Sequence, residues 1–255
     1  MKKIKFEEMF PDELIKFQKE GKPVYLPVGS MEWHSVHLGM GVDTIHAENV
    51  ALEVAKKLGG AVFPALYIGT ESMRSPESLR RLGFQGNEKI KGMDFPKNSL
   101  RSCYWPPELF RNIITMQVEQ LLIMGFQRIV ILNGHGAANQ KDIIQNICEE
   151  YSQGDVRLLS IMVLFQDCGV GLGHAGLAET ALMEYLCPEA ADTGRLPAKA
   201  EKLFYRDYGI ADAGGHDSEH FVHYDPRDAT AELGQKMFQF EVKRCEEIIQ
   251  KTFHL

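Results

Sequence analysis

The chain has 255 residues, 44% of them hydrophobic, which is enough material for one sizeable core. Its net charge of -7, with no long block among its 28 lysines and arginines, excludes a nucleic-acid backbone as the main partner and favours a small-molecule one. No run is long and uncharged enough to span a bilayer, and the start, Met1-Lys2-Lys3-Ile4-Lys5, lacks an apolar stretch of secretory length; a cytoplasmic chain with no membrane partner is expected.

In chain order, strand-like runs fall at Pro23 to Val28, Ala61 to Tyr67, Arg128 to Leu132 and Val156 to Phe165. Helical patterns alternate with them at Ala47 to Leu58, Pro107 to Met124 and Gln140 to Tyr151, followed by Ala178 to Leu186 and Ala231 to Thr252. This βαβ rhythm predicts one α/β domain over residues 1–255 with a mostly parallel sheet. Two irregular stretches, Thr70 to Tyr104 and Gly209 to Arg227, are long enough to form a site wall or a subunit contact. The five cysteines are odd in number and contain no CxxC pair, so most are expected to be buried thiols, not disulfides or a thiolate zinc site.

Three stretches place metal-capable side chains just past strand-like runs: Glu32-Trp33-His34 with Asp43, the turn Asn133-Gly134-His135-Gly136, and His174-Ala175-Gly176 with Glu179. Loops after the carboxyl ends of parallel strands converge on one crevice, so such segments can build a single site. In an extended backbone Glu32 and His34 point to one side. Each residue also has an ordinary reading. Glu32 and His34 can be a surface pair, Asp43 a helix N-cap, His135 a turn histidine bonded to backbone, and Glu179 a complement to a helix dipole. His37 and His46 are expected to support or pack. Gathered without ions, carboxylates about 5 Å apart repel by on the order of 3 kcal/mol per pair at an effective dielectric near 20. Two divalent ions would balance them, and the oxygen and nitrogen donors suit Zn, Mn or Fe.

The runs GSMEWHSVHLGMGVDT (29–44), NGHGAAN (133–139), HAGLAET (174–180) and DPRDATAELG (225–234) together resemble the creatininase family of metal-dependent amidohydrolases, in the same order and over nearly the whole length. The resemblance implies a three-layer α/β/α sandwich, two metal ions per subunit and a homohexamer. It makes Glu32, His34, Asp43, His135 and Glu179 the metal residues, with Asp43 bridging, and His174 with Glu179 the proton-handling groups. The ions would activate a bridging water to attack an amide carbon, and His174 or Glu179 would protonate the departing nitrogen.

Some positions depart from the family pattern. Where creatinine-hydrolysing members carry a ligand glutamate two residues after the turn histidine, this chain has Ala137. Gly136 replaces an aromatic residue, and Val170-Gly171 replaces a Trp-Asp pair. Creatinine is therefore disfavoured as substrate, and a cyclic amide or formamide C-N bond of another small molecule is expected. The competing readings are a metal-stabilised binding protein without turnover and a peptidase-like member acting on a small modified peptide. A nucleotide-dependent dehydrogenase is disfavoured because no GxGxxG follows the first strand. The polar cluster His216-Asp217-Ser218-Glu219-His220-Phe221-Val222-His223 is expected at a pocket rim or subunit contact, not as a primary metal site. Trp33, Tyr104 and Trp105 are candidates to line the pocket.

Overall fold

The computed structural model describes residues 3–165, 167–212 and 225–254. The segment from His216 to His223 lies outside them.

Strand β1 (Val24–Gly29) is buried along its whole length and runs beside β4 (Arg128–Asn133), with Val24 level with Ile129 and Val28 level with Asn133. Beyond β4 lies β5 (Arg157–Met162), and on the other side of β1 lie β2 (Ala61–Val62) and β3 (Leu66–Tyr67). All these pairings are parallel. The run expected as one strand from Ala61 to Tyr67 is thus two. Val62 faces Tyr25 while Leu66 faces Val28, so four steps on one chain match three on the other, and Pro64, which has no N–H to give a ladder, sits at the break.

Side-chain alternation along β1 and β4 decides the layers. Tyr25, Val130 and Leu132 face α2 (Val42–Leu58), α6 (Leu177–Leu186) and α8 (Ala231–Phe253), where Ala47, Val50, Leu182, Val242 and Ile249 close one core. Val24, Leu26, Val28, Ile129 and Ile131 face α4 (Pro107–Ile123) and α5 (Ala138–Tyr151), whose Phe110, Ile114, Val118, Ile144 and Ile147 close the other. The result is the expected three-layer α/β/α sandwich around a mostly parallel sheet.

Outside the sandwich proper are α1 (Pro11–Lys19), α3 (Pro76–Arg81), α7 (Tyr205–Tyr208) and the short antiparallel pair β6 (Gly173–His174) with β7 (Ala211–Asp212). Sequence periodicity did not anticipate these elements, which are short. The run DPRDATAELG proves structural: Asp225 caps a single 3-10 turn, Thr230 accepts from the Leu233 N–H at the start of α8, and Gly234 lets α8 lie against α6. A Cβ at Gly234 would stand 1.9 Å from the Ala181 carbonyl oxygen. Of the thiols, Cys148 and Cys245 are buried, Cys168 and Cys187 half-buried and Cys103 exposed, which corrects the expectation that most are hidden; none is paired. Among the described residues no helix is long and apolar enough to cross a membrane.

Because β1 continues to β2 and β3 on one side while β4 lies on the other, the strand order reverses between β1 and β4, and their carboxyl ends open a crevice there. The first turn of α2 drops into that crevice. Gly29 and Gly134 make room for it: a Cβ on Gly29 would lie 2.5 Å from the Thr44 nitrogen, and one on Gly134 only 2.0 Å from the Asp43 oxygen.

A candidate metal centre at the β1–β4 crevice

Glu32 and His34 leave the end of β1, Asp43 enters on α2, His135 sits in the turn after β4, and His174 and Glu179 arrive from β6 and α6. All six expected residues meet at one centre, and all but Glu179 are at most 8% exposed. Asp43 is not the N-cap its position suggested. Gly41 occupies that place, and the Asp43 carboxylate turns inward from the first turn of α2. Glu179 does lie in the first turn of α6, and its carboxylate accepts from the Ala175 N–H at 2.6 Å. Ala175 takes a left-handed backbone, φ 51°, between His174 and the capping Gly176.

Two triads share Asp43. Its Oδ2 stands 3.0 Å from His135 Nδ1, which is also 3.3 Å from Glu32 Oε2. Its Oδ1 stands 3.3 Å from His34 Nε2, which is 3.6 Å from Glu179 Oε2. A third grouping joins Glu32 and His34 to His174, and within each group the donor atoms lie inside 4.8 Å of one another. A tetrahedral ion with bonds of about 2.0–2.1 Å has donor-donor edges of roughly 3.3–3.4 Å, and the separations around His135 and His34 in the two triads, 3.0 to 3.6 Å, bracket that value.

The hydrogen bonds around the centre hold donor atoms toward it. His34 gives its Nδ1–H to the Glu32 carbonyl, 3.1 Å away, which turns its buried Nε2 toward the centre. Ser30 donates to Asp43 Oδ2 at 2.6 Å, and the Tyr104 hydroxyl donates to Glu32 Oε1. His174 gives its Nε2–H to the Trp33 carbonyl at 2.6 Å, so its Nδ1 faces the centre, 3.9 Å from Glu32 Oε2. The His34 and His174 rings lie 4.5 Å apart.

Protonation of the ion-free chain follows from these contacts. Burial would lower the pKa of His34, but Glu179, Asp43 and Glu32 around it win and lift it to about 10. His135 is likewise held well above its ordinary value, with burial outweighed by Glu32 and Asp43. The opposite holds for His174, which burial pushes down to about 4 despite the nearby Glu32. Burial raises Glu179 to about 7 against the pull of His34. For Glu32 the desolvation cost is overcome by His135 and His174, which hold it near 2. Two imidazolium groups therefore do in the ion-free chain what cations would otherwise do: they balance clustered carboxylates.

His37 and His46 support the centre, as expected. His37 gives a hydrogen to Thr180 Oγ1 at 2.9 Å, because that hydroxyl spends its own on the Gly176 carbonyl, and so ties the loop after β1 to the first turn of α6. His46 forms a buried pair with Glu241 of α8 at 2.6 Å. The irregular stretch from Thr70 to Tyr104 is a wall of the site through Tyr104. Trp33 contributes its carbonyl, while its indole edge lies against Gly209. Ser30 was not anticipated; its position two residues before Glu32 is the one available cue. At Gly136 a Cβ would meet nothing within 4 Å among the described residues.

Comparison with known proteins agrees with this architecture. The creatininase family model, described as creatinine amidohydrolase, matches residues 7–249. A creatinine amidohydrolase from Pseudomonas putida is 25% identical over 191 residues, an alignment spanning 67% of this chain and 66% of that relative, just under two thirds of its length. Two solved structures share the fold: a Zn-Zn form of a creatininase variant, with TM-score 0.71 and 20% identity over 99% of both chains, and a Mn creatininase, with TM-score 0.68 and 19% identity over 99% of both chains.

Proposed function

Since the chain belongs to the creatininase family, we propose that it is a metal-dependent amidohydrolase that hydrolyses a non-peptide C-N bond, a cyclic amide or formamide, in a small molecule. The observation that carries the reading is the pair of triads joined through the two oxygens of Asp43. Glu32, Asp43 and His135 would hold one divalent ion and His34, Asp43 and Glu179 the other, with Zn, Mn and Fe all suited to the donors. When bound, such a pair supplies Lewis acidity toward a carbonyl and lowers the pKa of water.

The chain's own residues supply orientation and proton handling. Ser30 and Tyr104 each engage a carboxylate oxygen, which restricts how Asp43 and Glu32 can turn. His174 is the proton carrier in this reading. It is neutral, its Nε2–H is committed to Trp33, and its free Nδ1 lone pair points to the centre, so it can take a proton from the attacking water and return it to the leaving nitrogen. Glu179 can share that duty when it is not a full ligand. Gly136 has no side chain with which to grip a substrate from that turn, and creatinine belongs in the substrate screen as the discriminating compound. The reading takes residues 1–255 as one domain in a cytoplasmic homohexamer.

The test is a His174→Ala variant assayed with metal-loaded protein on cyclic amides, formamides, creatinine and short peptides. Metal content should match the unaltered chain while turnover falls by about 10²–10⁴. Undiminished turnover in the variant refutes the role of His174. Fewer than two ions on the unaltered chain refutes the two-ion site. A loaded chain without activity across the panel favours a binding protein instead.

A further inference from the structure

Gln140 lies in the first turn of α5, fully buried, and is not among the residues so far given a role at the centre. Its side-chain amide uses both ends. Oε1 accepts from the Thr70 N–H at 2.9 Å, and Nε2 donates to Asn133 Oδ1 at 2.9 Å. That same Asn133 oxygen accepts from the His135 N–H at 3.0 Å, while Asn133 Nδ2 donates to the His135 carbonyl at 2.9 Å. The backbone partners fix the orientation of both amides, since an N–H can only give and a carbonyl can only receive. Thr70, Asn133 and His135 are themselves at most 3% exposed, so water does not replace these bonds.

The Thr70 end of the chain leads back to the centre by a second route. Gly69 pairs with Tyr104, whose neighbour Trp105 donates its N–H to the Gly69 carbonyl at 2.8 Å. Tyr104 in turn donates to Glu32. One buried amide thus stands between the turn that carries His135 and the wall that restrains Glu32. Both belong to the same triad; of the other triad, His34 meets this network only at the far end, through the Glu32 carbonyl that takes its Nδ1–H.

We propose that Gln140 is a positioning residue for the ion site of Glu32, Asp43 and His135, holding the His135 turn and the Thr70 wall at a common spacing. The inference rests on the two-ion reading above. An apolar side chain of the same size would fill the space as well, so burial alone does not account for an amide with both ends satisfied. Losing it leaves the Thr70 N–H without a partner and the Asn133 oxygen with one fewer, in a place closed to solvent.

The experiment titrates ion-free protein with Zn(II) or Mn(II) against a chromophoric chelator, comparing the unaltered chain with Gln140→Met and Gln140→Glu. Met keeps the volume and removes both bonds; Glu keeps the acceptor for Thr70 but has no hydrogen for Asn133 when ionised. Each variant should lose about tenfold to a hundredfold in affinity for one ion, with the other changed by less than about threefold. A double-mutant cycle localises the effect: Gln140→Met should couple to His135→Ala and add independently to His34→Ala. Two ions bound at unaltered affinity in the folded variants, or equal weakening of both, overturns the proposal. Fewer than two ions on the unaltered chain removes the two-ion reading itself, which separates that failure from this one.

Discussion

Replacing Gly134 by alanine should disturb both ion sites at once, through the backbone of Asp43. The added Cβ would lie 2.0 Å from the Asp43 carbonyl oxygen, 2.7 Å from its carbonyl carbon and 3.1 Å from its Cα, whereas real Cβ atoms essentially never approach below 3.0 Å. No side-chain rotation relieves backbone against backbone, so α2 and the β4 turn must part by about 1 Å at least. Metal–ligand distances tolerate only about 0.2 Å. A shift five times larger in the residue common to both triads should abolish stoichiometric binding of both ions. Overpacking of this kind costs about 1–3 kcal/mol, and a 2 kcal/mol loss in a chain of this size lowers Tm by roughly 4–8 °C. Elemental analysis and thermal unfolding of the ion-free protein read the two effects. Gly136→Ala is the control, because among the described residues its Cβ meets nothing within 4 Å and its backbone is not left-handed. If Gly134→Ala binds two ions and melts like the control, the argument that α2 is seated by glycine contact is refuted.

Protonation makes a further prediction. Ligand nitrogens must lose their protons to bind a cation, and His34 and His135 carry theirs at neutral pH in the ion-free chain, so loading should release about two protons and tighten as pH rises. Calorimetry in buffers of different ionisation enthalpy measures the count, and release of none would contradict the assigned protonation. The raised His34 pKa also stabilises the ion-free fold below the unfolded value of 6.5, a contribution lost as pH climbs towards 10. Ion-free Tm should therefore fall between pH 6.5 and 9, an effect His34→Gln should weaken. Away from the centre, Glu241→Leu leaves His46 in a closed space without its counter-charge, and should destabilise the fold by about 3–5 kcal/mol in denaturant titrations. A loss below 1 kcal/mol would mean that His46 simply gives up its proton.

Much of this protein is written in local sequence. Continuous apolar runs such as Arg128 to Leu132 determine buried parallel strands, and periodic ones such as Pro107 to Met124 determine the helices against them, because burial pattern depends on side-chain spacing alone. The candidate ligands were legible for the same reason: Glu32, His34, His135 and His174 each stand just past a strand or beside a turn of glycines. Tertiary structure decided the rest. Pairing split the second strand at Pro64, since only a partner's ladder reveals a missing N–H. Contact across the crevice decided between the two readings of Asp43, a helix cap and a carboxylate shared by two ligand groups, in favour of the second. Long-range hydrogen bonds brought in Ser30, the Tyr104 hydroxyl and Gln140, whose partners lie 13, 72 and 70 residues away along the chain. Periodicity carries information over a few turns of chain, whereas a site of this kind is made by the distances between strand ends, and those exist only once the sheet has formed.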